Sequence, residues 1–127
     1  MTDPTVTDPA VPPRRHGIAH LFAASRYSWQ GLARLWRETA FRHEAAMGGG
    51  LIAGLLLADA TLTEWLAMAV LFLLLIAMEA LNTAIETLAD HVSPGWSAAA
   101  GQAKDLGSLA VFCTLIANGL GLLAILM

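Results

Sequence analysis

Glu79, Asn82, Glu86 and Asp90 follow one another at intervals of three, four and four residues. At about 100° per residue on a helix, Glu86 and Asp90 fall about 20° to either side of Glu79, and Asn82 about 60° away. The four residues therefore form one polar stripe. The helix that bears it opens with WLAMAVLFLLLIAM, 14 residues without a charge. A charged side chain inside such a segment costs about 2.5–3.5 kcal/mol on membrane insertion. Paired acids there point to chemistry and not only to helix–helix adhesion.

The chemistry they suggest is oxygen-only coordination. Clustered carboxylates suit a hard cation such as Mg²⁺, which takes one or two protein carboxylates and completes its shell with water and substrate phosphates. Glu38 and Glu44 lie just before the next upstream apolar run and can reach the level of Glu86. Lys104 is the only lysine and lies in GQAKDLGS with Asp105, Gly107 and Ser108. A lysine beside an acidic site can neutralise phosphate charge. His16, His20, His43 and His91 are not at zinc spacing, and CxxC and HExxH patterns are lacking. Neither a GxxxxGK[ST] loop nor a GxGxxG turn is present.

The elements that must position these groups are membrane elements. The chain has 127 residues, 57% of them hydrophobic and 13% charged, with one cysteine and a net charge of −3. Mean hydropathy is +0.61. A single domain of this size cannot keep so much apolar surface from water as a soluble globule. The composition also excludes a disordered chain and a disulfide mini-protein, and the charge gives no footprint for nucleic acid.

Residues 1–16 hold four of the five prolines and read as a disordered tail outside the fold. Residues 17–37 read as an interfacial amphipathic helix, with Ile18, Leu21, Phe22, Ser25, Trp29, Leu32 and Trp36 on one face. Three transmembrane helices are expected at about 42–59, 63–88 and 104–126, in an all-α membrane protein. The first and second need polar residues at their ends, because each uncharged run has only 14 residues, whereas 22 uncharged residues close the chain. Gly50 and Gly54 form a GxxxG pair suited to close helix packing. Cys113 reads as apolar filler. All seven basic residues, Arg14 to Arg42 and Lys104, fall on one side of this layout, so that side and the N-terminus are expected to be cytoplasmic.

The motifs YSWQGL (27–32), ETAFRHE (38–44), EALNTAIETLAD (79–90) and GQAKDLGSLA (101–110) resemble the prokaryotic diacylglycerol kinase family over about residues 17–127. The resemblance implies a homotrimeric lipid kinase of the bacterial inner membrane, using ATP and Mg²⁺. It implies Glu79 as the base, Glu38 and Glu86 as metal ligands, and Tyr27, Lys104 and Asp105 with them at the nucleotide. Ser28, Trp29, Glu44, Asn82, Asp90 and Ser108 match other positions lining the site. The chain departs from the family at His20 and in the SPGWS loop. Undecaprenol phosphorylation by the same chemistry, proton-coupled transport through Glu79 and a non-catalytic membrane subunit are the alternatives.

Overall fold

The computed structural model describes residues 18–127, with side chains from Phe22 onward. The expected tail at 1–16, and the side chains of Ile18, His20 and Leu21, lie outside the described residues. Four helices follow in order: α1 (Ile18–Leu35), α2 (Thr39–Leu57), α3 (Leu62–Val92) and α4 (Ala98–Leu126). No strand occurs among the described residues. The chain divides into two compact units at Gln30 and Gly31. The described part of the first is the exposed N-terminal stretch of α1, where Phe22, Tyr27 and Trp29 all face outward.

The second unit, Gly31–Met127, holds the rest. α1 ends at Leu35 because the next amides tighten: Arg37 N donates to Arg34 O at 3.0 Å and Glu38 N to Leu35 O at 2.9 Å. Trp36 meets the Phe41 ring edge-on at 6.1 Å, fixing the corner into α2. Glu38 is the extended N-cap of α2, yet its side chain makes no cap bond.

Between α2 and α3 the chain turns at Asp59, which adopts a left-handed backbone with φ of 51°. Asp tolerates that region better than most residues. Thr61 and Glu64 then close a capping box, with Glu64 Oε2 accepting from Thr61 N at 2.7 Å. Ser97 caps α4 by accepting from Ala100 N. Helix lengths decide what can cross a bilayer. α3 and α4, with 31 and 29 residues, are long and apolar enough; at 1.5 Å per residue they extend about 46 and 44 Å, against a hydrocarbon core of about 30 Å. α2 has 19 residues, or about 28 Å, and does not qualify by the same measure. Arg42, His43 and Glu44 in its first turns are the reason, so only two of the three expected spans qualify by length and composition.

The element bounds also differ from the expected ones. α3 runs four residues beyond 88, so Asp90 and His91 remain helical. α4 starts at Ala98, six residues before 104. Both extensions continue the helix past the uncharged runs into sequence with polar residues.

The three helices of this unit form an up–down–up arrangement, and α3 packs most heavily on α4. Their seam repeats every seventh residue. Met68, Leu75 and Asn82 are buried on α3, and Val111 and Asn118 on α4. That is the spacing of two helices wound together with knobs in holes. At one end Leu51, Leu55 and Met68 form an apolar cluster with Trp65, Leu122 and Ile125. At the other end the seam turns polar.

Close approach among the three helices is made by glycines. A Cβ on Gly107 would run into the Asn82 carboxamide, and one on Gly48 would stand 2.6 Å from Cζ of Phe72. Gly54 approaches Leu122, but Gly50 has open space around it within this chain. The GxxxG pair is thus only half used here, and Gly48 makes the tighter contact. Gly48→Val should therefore lower the thermal stability of the detergent-solubilised protein, by about 1–3 kcal/mol for an overpacked site. Gly50→Ala should be neutral or stabilising. Circular dichroism melts of the two variants check the contrast.

Candidate active site

A cleft of about 680 Å³ opens at the polar end of the bundle. α2 contributes Glu38 from its N-cap and Glu44 from its second turn. α3 contributes Glu79, Asn82 and Glu86, and α4 contributes Ser108. The spacing of these residues explains their convergence. Glu79 and Glu86 lie two turns apart on one face, with Asn82 between them, so one helix presents three polar groups to the same space. Glu44 and Glu79 are buried, at 6% and 4% exposure, as is Asn82 at 8%.

The network is sparse. Asn82 Nδ2 donates to Glu86 Oε1 at 3.2 Å. Asn82 Oδ1 and Glu44 Oε2 are buried and have no hydrogen-bond partner. Buried polar atoms without partners are costly, about 1–3 kcal/mol each. Glu38, Glu44, Glu79 and Glu86 face this space with no lysine or arginine among the lining residues. Such a site favours an added cation, and the donor set is entirely oxygen apart from His43, which suits a hard divalent ion. Among the described residues no three ligating side chains are gathered closely enough to hold a metal by themselves. Two carboxylates with the remaining positions left to water and phosphate match Mg²⁺ better than a closed protein cage.

Of the residues singled out in the sequence, the cleft gathers Glu38, Glu44, Glu79, Asn82, Glu86 and Ser108. Lys104 and Asp105 are not among its lining residues. Lys104 Nζ instead donates to Asp90 at 2.5 Å, the one ion pair among the described residues. Its two side chains are 36% and 69% exposed. A pair so open to solvent is worth about 0–1 kcal/mol. Asp105 is exposed on α4. Tyr27, Ser28 and Trp29 are exposed and belong to the first unit. Cys113, read as filler, is exposed on α4.

The cleft is also lined by residues to which the sequence reading gave no role in it: His43, Met47, Thr83 and Phe112. Two had a signal in the sequence. Thr83 follows Glu79 by one turn, and Met47 follows Glu44 by three residues, so each shares its neighbour's face. Arg34 Nη2 donates to Thr87 Oγ1 at 3.0 Å and joins the end of α1 to α3 near the same end of the bundle.

Comparisons with known proteins converge on one family. The family described as prokaryotic diacylglycerol kinase matches residues 26–126. A diacylglycerol kinase of a Sinorhizobium species is 48% identical over 106 residues, covering 84% of this chain and 77% of the relative. The Haemophilus influenzae diacylglycerol kinase is 38% identical over 105 residues, covering 82% and 89%. That of Escherichia coli K12 is 36% identical over 103 residues, covering 79% and 83%. The match takes in every helix that lines the cleft: the chain belongs to the prokaryotic diacylglycerol kinase family.

Proposed function

We propose that the protein transfers the γ-phosphoryl group of ATP to the primary hydroxyl of diacylglycerol, giving phosphatidic acid and ADP. The observation that carries this reading is the cleft itself, with Glu38, Glu79, Asn82, Glu86 and Ser108 at the end where α3 outruns the hydrocarbon core. A lipid hydroxyl held at the membrane surface and a water-soluble nucleotide can meet only at such a level.

Glu79 is the base. Its carboxylate accepts the proton of the lipid hydroxyl as that oxygen bonds to the γ-phosphorus, and the bond to the oxygen bridging the β- and γ-phosphorus breaks. Asn82 holds Glu86 through the 3.2 Å bond, while its Oδ1 lies buried against Gly107 of α4. Glu38 and Glu86 would hold Mg²⁺, which when bound with ATP supplies charge neutralisation for the phosphates. Glu44 and Ser108 line the acceptor side, and Ser28 and Trp29 are assigned to the lipid contact by the family motif. Lys104 and Asp105 take the nucleotide, a role that the family motif also gives to Tyr27. The weak, exposed pairing of Lys104 with Asp90 leaves the ammonium able to exchange to a polyphosphate.

The same reading puts the cleft and the N-terminus on the cytoplasmic side of the bacterial inner membrane, with α2 as the third span. Arg34, Arg37, Arg42 and Lys104 all belong to the end of the unit that carries the cleft, which is the positive-inside side. Three helices do not enclose the polar stripe from lipid, and this is the physical support for a homotrimer. Diacylglycerol is favoured over undecaprenol by the relatives' names. Proton-coupled transport is disfavoured because Glu79 shares one cleft with Glu38, Glu44 and Glu86, and no further acid follows it down the uncharged run 65–78 of α3 to form a relay.

Labelled ATP supplied with either lipid to the purified protein tests the assignment, and label should enter diacylglycerol in preference to undecaprenol. Glu79→Gln should lower kcat by about 100-fold or more while Mg·ATP binding persists; wild-type turnover would remove Glu79 from the base role. Glu86→Gln should instead raise the Mg·ATP concentration needed for half-maximal rate by about tenfold. An unchanged magnesium titration would remove Glu86 as a ligand.

A further inference from the structure

Asn118 is the most completely buried polar residue among the described residues, at 0% exposure, in the apolar C-terminal half of α4. Its Nδ2 donates to Leu71 O of α3 at 3.1 Å and to Thr114 O of its own helix at 2.8 Å. Both partners are carbonyls, so only the amide nitrogen can face them, and the orientation of the carboxamide is fixed. Its Oδ1 is left buried without a partner. The side chain is therefore committed to one interhelical bond at the cost of an unmet acceptor.

The surroundings explain what that bond does. One turn from Asn118, Gly121 of α4 meets Met68 and Leu71 of α3 and offers no side chain of its own to lock against them. A Cβ on Gly121 would stand 2.9 Å from Sδ of Met68 and from Cδ1 of Leu71. In lipid, no hydrophobic force selects one axial register between two such surfaces; packing and polar bonds must do so. A single buried asparagine in a heptad seam is the best-attested device for fixing register. Among the described residues, the Asn118–Leu71 bond is the only side-chain hydrogen bond between α3 and α4 within the apolar stretch. The Lys104–Asp90 pair ties the same helices at the exposed end.

We infer that Asn118 is a positioning residue for phosphoryl transfer: its bond to Leu71 O sets the register of α4 on α3, and so sets Gly107 and Ser108 against Asn82 and Glu79. It touches no reacting group. Ten residues separate it from Ser108, about 15 Å along α4, and eight separate Leu71 from Glu79, about 12 Å along α3. It acts through two stiff helices. At the far end the fit is unforgiving, because Gly107 accommodates the Asn82 carboxamide only for want of a Cβ.

The kinetic arm of the test rests on the kinase reading; the cross-linking arm does not. In a Cys113→Ala background, Met68→Cys with Gly121→Cys places two thiols across the seam, the first substitution removing the sulfur that the new Cβ would meet. With Asn118 intact the pair should oxidise readily. Asn118→Leu should slow disulfide formation about fivefold and lower kcat about tenfold, with KM for ATP changing less than about twofold. Forming the disulfide in the Asn118→Leu protein should return kcat to within about threefold of its parent. Unchanged cross-linking, unchanged kcat, or no recovery on oxidation would each overturn the inference. Should Asn118→Leu not insert, Asn118→Ala, which cannot overpack, is read in the same way. Failure of both to fold would make Asn118 a folding residue only and overturn the inference. If the parent transfers no phosphoryl group, the kinase reading fails, while the cross-linking rates still decide whether Asn118 sets the register.

Discussion

An ionised carboxylate on a membrane helix must either reach water or be met by partners, since its insertion costs about 2.5–3.5 kcal/mol at mid-span. That constraint organises this protein. α3 has 31 residues, about ten more than the 20 or so that a bilayer core requires. The surplus lies beyond the uncharged run 65–78 and carries Glu79, Asn82, Glu86 and Asp90. α2 and α4 supply the remaining walls, and the polar groups left over face one cleft.

The two ends of the bundle divide the work. The apolar cluster around Leu51, Leu55 and Met68 packs the far end, where the Thr61–Glu64 capping box closes the start of α3. The near end leaves polar atoms unmet: Glu44 Oε2 and Asn82 Oδ1 remain buried without partners. Sites that bind charged substrates carry such local costs, and the structure elsewhere bears them. The glycines belong to the same trade. Gly107 and Gly48 bring helices close where a side chain would hold them apart.

Much of this was legible in the residues. The period of Glu79, Asn82, Glu86 and Asp90 places them on one face, and three of the four line the cleft. Asp90 does not, because one more turn carries it past the cleft to Lys104. The pairing of Lys104 was not legible, since it depends on how far α3 and α4 overlap beyond the membrane. Helix ends were blurred for a related reason: uncharged runs mark the hydrocarbon, whereas α3 and α4 continue as helix into polar sequence. Asn118 escaped notice because a lone asparagine in an apolar run has no partner in the sequence; its partner is a backbone carbonyl 47 residues away. Of the GxxxG pair, Gly54 approaches Leu122 while Gly50 meets nothing in this chain, and spacing alone could not separate them.

The central claim is that the carboxylates at the polar end of the bundle receive the metal–nucleotide. It is tested most directly with protein carrying ¹³C at the glutamate side-chain carboxyls, in bilayers, with Mn²⁺ and a non-hydrolysable ATP analogue in place of Mg·ATP. Paramagnetic broadening should remove the Glu38 and Glu86 signals first and leave Glu64, at the opposite end of α3, sharp. Equal broadening at Glu64, or sharp signals from Glu38 and Glu86 at saturating nucleotide, would contradict the account.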